Sequence, residues 1–440
     1  MHTYTKRALT VALVVTSASF LAVGCGSDDN SSNDSKSMSK NTPTATDSSN
    51  DTSSDSSTKM DAGSEADNGV MLRATVDRLL GEHMLLAANA TQKALLGGKD
   101  VDAALGALSA NTDELSKTIG SVYGKDAETS FKAQWAAHNL LFVDYTTAVA
   151  KKDAAGKAKA VKGLGDYQKN FGTFMATATG LPAAAVQQQL GVHVGHTAKG
   201  VDDFAAKKYP AAYVDLAMGY DHMFALGDTL ANAIATQQKL NPTTGKAADL
   251  QVTLDKLLSQ HALLAIMTMQ RGFDGSPDFT AAAKALDNNT TALGDAIGSV
   301  YGPAAKKAFE AQWRAHIGLF VDYTTASAKK DEAGKARALK GLDGYKMSFA
   351  KFLNTATGLD ETAAADSLQM HVDQLIGSFD AYTAGNYEEA YGQARTAYAH
   401  MFETGDALAS AIAKQKGITN DGTAKMSDTS SHAHDAMTTM

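Results

Sequence analysis

Eight histidines recur in this sequence at regular intervals. They form two sets of four. Within the first set, the sequence interval between the first and second histidine equals that between the second and third, and the interval to the fourth is shorter. The second set repeats all three intervals without a net insertion. Imidazole nitrogen is a good ligand for zinc, copper, iron and nickel, so regularly placed histidines raise the question of a transition-metal site. The first set is His83, His138, His193 and His222, and the second is His261, His316, His371 and His400.

Helical periodicity turns most of these histidines toward a protein interior. On an α-helix, positions three, four and seven residues apart share one face. His138 shares its face with Trp135, Leu141 and Phe142, and His316 has equivalent neighbours. Six of the eight histidines face inward on this test, whereas the last one of each set is less clear. Most lie near the middle of their predicted helices, so an antiparallel bundle would bring the four of each set into one layer.

Other roles for the histidines remain open at this stage. A buried histidine is often a core residue that is hydrogen-bonded to a carbonyl or hydroxyl group. If these histidines only pack in this way, the protein would be a surface interaction module or a structural module of the cell envelope. Two histidines on different helices can also ligate a b-type haem, although no C-x-x-C-H motif for the usual covalent attachment is present. The sequence contains no Walker loop, G-x-S-x-G or H-E-x-x-H motif, and the absence of these motifs favours a non-enzymatic function.

The elements that must position these side chains are helices. Apolar residues recur with helical spacing throughout, and no run alternates convincingly with period two. The sequence predicts an all-α fold of two tandem homologous helical bundles, each with about six helices, after a disordered tether. The predicted segments are 69–238 for the first bundle, 239–247 for a linker, 248–415 for the second bundle and 416–440 for a disordered tail containing Met and His.

The N-terminal segment has the pattern of a targeting signal. A short positive region precedes an apolar run that is too short to serve as a permanent transmembrane helix. The residues Leu21-Ala22-Val23-Gly24-Cys25 resemble the bacterial lipobox. This resemblance implies that 1–24 is a lipoprotein signal peptide and that Cys25 is lipidated, which anchors the protein to the cell membrane on its extracytoplasmic face. Residues 25–68 are almost free of apolar side chains and predict a disordered linker.

Composition narrows the possible partners. The chain of 440 residues has a formal net charge of −8, and its basic residues do not cluster, which argues against nucleic-acid binding. Cys25 is the only cysteine, so multi-thiolate metal sites are excluded. His432 and His434 lie among methionines in the tail, and soft ligands of this kind suit copper, although the motif is weak.

Two family comparisons bear on the helical repeats. The stretch AQWRAHIGLFVDYTTASAKKDEAGKARALKGLDGY is similar to repeats of secreted Gram-positive proteins that are labelled copper amine oxidase-like, and the likeness covers both copies. The quinone motif of true copper amine oxidases is matched by letter at 383–388, where a Gly-Asn turn before a helix is the simpler explanation. The H-x-x-x-E and H-x-x-x-H pairs of hemerythrins do not occur.

Together these features predict a membrane-anchored extracytoplasmic lipoprotein. We expect it to bind copper, zinc or iron through a buried histidine quartet in each repeat, with haem as a less favoured cofactor.

Overall fold

The computed structural model describes residues 68–240 and 244–420. Within those ranges every regular element is an α-helix, and the twelve helices divide into two sets of six, so the predicted fold class is confirmed. None of the described helices is both long and apolar enough to cross a membrane. The predicted signal peptide, Cys25, the tether and the Met/His tail beyond 420 lie outside the described residues.

The two halves have closely matching helix boundaries. The first half consists of α1 (Asn68–Leu96), α2 (Val101–Tyr123), α3 (Lys125–Lys151), α4 (Ala154–Thr179), α5 (Ala183–Ala205) and α6 (Tyr209–Gln237). The second half consists of α7 (Lys246–Asp274), α8 (Phe279–Tyr301), α9 (Pro303–Ala328), α10 (Glu332–Thr357), α11 (Glu361–Ala384) and α12 (Tyr387–Lys416).

Local sequence signals explain several of these boundaries. The side chain of Asp153 accepts a hydrogen bond from the backbone N–H of Gly156 at 2.9 Å and caps the start of α4. Asp331 caps α10 in the same way through Gly334. Gly180 ends α4 with a φ of 75°, a left-handed conformation that glycine adopts without the steric penalty of a side chain. The duplicated sequence thus begins and ends helices at equivalent places.

Three helices of each half form its inner layer. In the first half α1, α3 and α5 contact one another, and α2, α4 and α6 each pack between two of them. The second half repeats this order, with α7 in contact with both α9 and α11. Short connections make consecutive helices antiparallel, so the three inner helices of a half run in the same direction. The middles of the inner helices therefore lie in one layer.

The helices α1 and α7 are buried on every side along much of their length. All residues of 79–93 in α1 are buried, and so are those of the equivalent stretch 257–271 in α7. Each of these helices contacts its own half and also the opposite half. A helix that loses its exposed face in this way belongs to the core of a larger body, so the two halves share one packed interior.

Equivalent residues meet at the interface between the halves. The hydroxyl oxygens of Tyr220 and Tyr398, which occupy the same place in the two copies, lie 3.1 Å from each other. The rings of Phe224 and Phe402, also equivalent, have centroids 6.5 Å apart. In a two-fold symmetric dimer the residues on the axis contact their own copies. The halves are therefore related by a pseudo-two-fold axis that passes between these pairs.

Buried ion pairs at this interface each accept a hydrogen bond from a tyrosine of the opposite half. Tyr391 of the second half donates to Asp100 of the first half at 2.7 Å, and Asp100 also pairs with Lys93 at 2.9 Å. Both members of that ion pair are about 2 % exposed or less, so they depend on each other for charge compensation. The same arrangement occurs in the opposite direction with Tyr213, Asp278 and Arg271.

Two buried carboxyl groups at the interface lack so close an ion pair, since Asp77 lies 3.7 Å from Nε of Arg73, which also binds Asp228. Asp77 and its equivalent Asp255 are at most 1 % exposed. Burial, reinforced by the neighbouring Asp406, raises the pKa of Asp255 to about 10, and burial together with Asp228 raises the pKa of Asp77 well above its usual range. Asp255 is therefore protonated in the folded protein at neutral pH.

This arrangement predicts a loss of stability at alkaline pH. An unfolded aspartate ionises near pH 4, so a folded-state pKa of about 10 lowers the free energy of unfolding progressively as pH rises between those values. Asp255→Asn removes the part of this dependence that Asp255 contributes, and we expect its melting temperature to exceed that of the unchanged protein at pH 9, by roughly 2 °C per kcal/mol. Thermal unfolding followed by circular dichroism at pH 5, 7 and 9 measures the effect. The exposed Asp144→Asn is the matched control, and equal pH dependence of Asp255→Asn and the unchanged protein would contradict the assignment.

Candidate metal centre

Three of the four predicted histidines in the first half converge. His83 on α1, His138 on α3 and His193 on α5 are each at most 2 % exposed. The Nε2 atoms of His83 and His138 are 3.3 Å apart, and one nitrogen from each of the three rings lies within 4.8 Å of the others. The equal intervals between these histidines explain the convergence, because each interval spans one outer and one inner helix and returns the chain to the same height on the next inner helix.

The second half builds the same group. The Nε2 atoms of His261 and His316 are also 3.3 Å apart, and His371 completes a triad within 4.8 Å. Its ring centroids are separated by 5.2, 5.7 and 6.4 Å, compared with 5.2, 5.7 and 6.2 Å in the first half. The two halves have diverged in sequence elsewhere, so the shared geometry is a property of the repeat.

The distances suit coordination of a small metal ion. Two nitrogens bound tetrahedrally to zinc at 2.0–2.1 Å lie about 3.3 to 3.4 Å from each other. The Nε2 pair in each half already has that separation. The third ring of each triad is somewhat farther away and must move inward to reach a common centre.

Aromatic side chains enclose each triad. The Trp135 ring lies 4.9 Å from the ring of His83 and 4.6 Å from that of His138. Tyr167 stacks on His138 at 4.8 Å, and Phe142 presents its edge to both His138 and His193. The corresponding residues in the second half are Trp313, Tyr345 and Phe320. These rings separate the imidazoles from water.

Burial keeps the imidazoles neutral. Desolvation lowers the pKa of His138 to about 3, with a further contribution from His193. Desolvation, followed by the neighbouring histidine, also places the pKa of His83 well below its usual value. The same causes act in the second half on His261, His316 and His371. Neutral imidazole is the form that binds metal, so the triads need not lose a proton from a charged state before binding.

Several ring nitrogens in the triads have no hydrogen-bond partner. Both nitrogens of His193 and both of His371 are buried without one. Each buried, unpartnered polar group costs about 1–3 kcal/mol. His261 differs in one respect, because its Nδ1 accepts a bond from Trp313 Nε1 at 3.3 Å. An ion at the centre of each triad would give Nε2 of His193 and of His371 a partner that the protein does not supply. The other two Nε2 atoms of each triad are hydrogen-bonded to each other at 3.3 Å.

The fourth histidine of each set does not join the triad. Nε2 of His222 donates to the carbonyl oxygen of Gln189 at 2.8 Å, and Nε2 of His400 lies 3.0 Å from the carbonyl oxygen of Ser367. The shorter final step along the chain leads to an outer helix, α6 or α12, from which these half-buried rings reach the backbone of α5 or α11. The predicted quartet is thereby narrowed to a triad in each half.

The sequence prediction also missed the stacking tyrosines. Tyr167 follows His138 at the same interval at which His222 follows His193, so the two occupy equivalent positions in successive helical hairpins. The position of Tyr167 could have been recognised from the sequence, because Thr112 follows His83 at this same interval and is the equivalent residue of the first hairpin. By contrast, Tyr145 lies on the histidine face but donates to Asp202 at 2.9 Å, away from the triad.

Comparisons of the chain with protein-family models, with curated proteins and with solved structures give no match. The geometry of the triads is therefore the basis for assigning a function.

The unpartnered nitrogens lead to a stability prediction for metal-free protein. His193→Leu removes two unsatisfied buried nitrogens and fills the space with apolar atoms, so we expect an unchanged or higher free energy of unfolding. His222→Leu removes a histidine that is hydrogen-bonded and should lower the free energy by about 1 kcal/mol. Urea denaturation with a chelator present compares the two variants. A larger loss in His193→Leu than in His222→Leu would show that the triad nitrogens have partners.

Proposed function

We propose that this protein is a membrane-anchored extracytoplasmic lipoprotein that binds one transition-metal ion in each half. The ligands are His83, His138 and His193 in the first half, with the equivalent triad in the second. The observation that carries the proposal is the convergence of three buried, neutral imidazoles on three separate helices, with nitrogens that lack other partners. The lipobox-like residues ending at Cys25 support the location.

A metal explains the triads better than packing alone. Apolar side chains would fill the same volume without leaving buried nitrogens unsatisfied, and the replacement would cost little. The protein instead has an imidazole at each of the three inner positions, twice. Three is also a number of protein ligands found in known metal sites.

Haem fits this geometry less well than a single ion. Two axial histidines must lie on opposite sides of a flat macrocycle. Here the Nε2 atoms of His83 and His138 are 3.3 Å apart, and aromatic rings pack directly against the imidazoles. Such a separation leaves no slot between these two rings for a porphyrin, so a single ion is the better candidate.

Metal content of the purified full chain tests the proposal. We expect about two equivalents of copper, zinc or iron after loading and dialysis, measured by inductively coupled plasma mass spectrometry. His138→Phe should reduce the content to one equivalent, and the pair His138→Phe with His316→Phe should abolish it, because each triad loses a ligand. The matched control is His222→Phe with His400→Phe, which should retain two equivalents. Absence of metal from the unchanged protein, or its retention by the first double variant, would refute the proposal.

The proposed anchor has a separate test. Cys25→Ser removes the thiol that a lipid would modify, so we expect the protein to move from the membrane fraction to the soluble fraction and to lose incorporation of a labelled fatty acid. Cell fractionation and metabolic labelling of the full chain measure both effects. Equal labelling of the variant and the unchanged chain would exclude lipidation at Cys25.

A further inference from the structure

The two triads contain no anionic ligand. Each candidate group consists of three histidines alone, without a carboxylate among the described atoms close enough to share an ion. None of the ring nitrogens in the triads is hydrogen-bonded to a carboxylate. The groups nearest to the rings are other imidazoles and the aromatic side chains of Trp135, Phe142 and Tyr167 or their equivalents. A bound ion would therefore keep its whole formal charge inside an apolar enclosure.

The charge of the ion then determines how costly its burial is. The Born free energy of moving an ion out of water grows with the square of its charge, so a divalent ion is penalised about four times as much as a monovalent ion of similar size. Metal-bound histidines usually donate their second ring N–H to a carboxylate or carbonyl group, which spreads the positive charge. In the triads, Nδ1 of His193 and of His371 has no such acceptor. The enclosure thus opposes a dipositive ion on two counts.

Coordination number points in the same direction. Zinc favours four ligands, and a structural zinc site supplies all of them from the protein. The fourth histidine of each set is engaged elsewhere, through Gln189 for His222 and Ser367 for His400. Aromatic rings surround the remaining space. Among copper, zinc and iron, copper alone has a readily accessible monovalent state, and that state is stable with three ligands.

We propose that the triads select monovalent copper over divalent zinc. This inference rests on the proposed metal-binding function and adds the oxidation state and identity of the ion. His83, His138 and His193, with their three equivalents, would hold one cuprous ion per half, and the exclusion of water and carboxylates would be the source of the selectivity.

The test compares two ions in the unchanged protein and in one charge variant. The full chain is titrated without oxygen with Cu(I) against a chromophoric Cu(I) chelator, and separately with Zn(II) against a chromophoric zinc chelator. The variant His193→Glu with His371→Glu gives each site one carboxylate, so that a divalent ion there leaves the same net charge as Cu(I) leaves in the unchanged triad. We expect two Cu(I) per chain with tight binding and weak Zn(II) binding. In the variant, the ratio of the Zn(II) affinity to the Cu(I) affinity should rise by at least about ten-fold, which is the free-energy change that corresponds to a shift of one pKa unit.

The outcomes separate the inference from the proposed function. If the unchanged protein binds two Zn(II) as tightly as Cu(I), the selectivity is wrong while metal binding stands. If neither ion binds, both proposals fail. An affinity ratio that does not change in a folded glutamate variant would show that charge is not the selecting factor. Should the variant fail to fold, the titrations of the unchanged protein still decide between the ions.

Discussion

Six imidazoles lie where neither water nor a carboxylate reaches them, and the rest of the structure is arranged around that condition. Each inner helix contributes one ring from its middle, and the outer helices and aromatic side chains cover the layer. Burial favours the neutral form of the rings, which lowers the pKa of His138 to about 3. The same burial leaves nitrogens of His193 and His371 without partners. A bundle with such a layer is less stable than an apolar one unless something binds there.

Two levels of repetition produce the site. A hairpin of one inner and one outer helix occurs three times within a half, and the half itself is then repeated with the same internal spacing. The inner position of the hairpin is histidine each time, whereas the outer position varies as Thr112, Tyr167 and His222. Three imidazoles around a common axis follow from this arrangement. The second level adds a pseudo-two-fold axis at which Tyr220 meets Tyr398.

Much of the fold was predictable, and the limits have physical reasons. Helical periodicity predicted about six helices in each half, and the helix faces placed His138 and His316 toward the interior. A helical wheel gives the direction of a side chain but not the neighbour it meets, so His222 was grouped with the triad although it bonds to the backbone of α5. The interface between the halves was not predicted. Arg271 and Asp255 have polar side chains that usually lie on a surface, and their burial follows only from the contact of one half with the other.

X-ray absorption spectroscopy of the metal-loaded full chain is the most direct test of the central claim. We expect a first shell of three nitrogens at about 2.0 Å, averaged over the two sites, with the outer-shell scattering of imidazole rings. A first shell dominated by oxygen, or one that contains sulfur from methionine, would place the ion outside the triads and contradict the account.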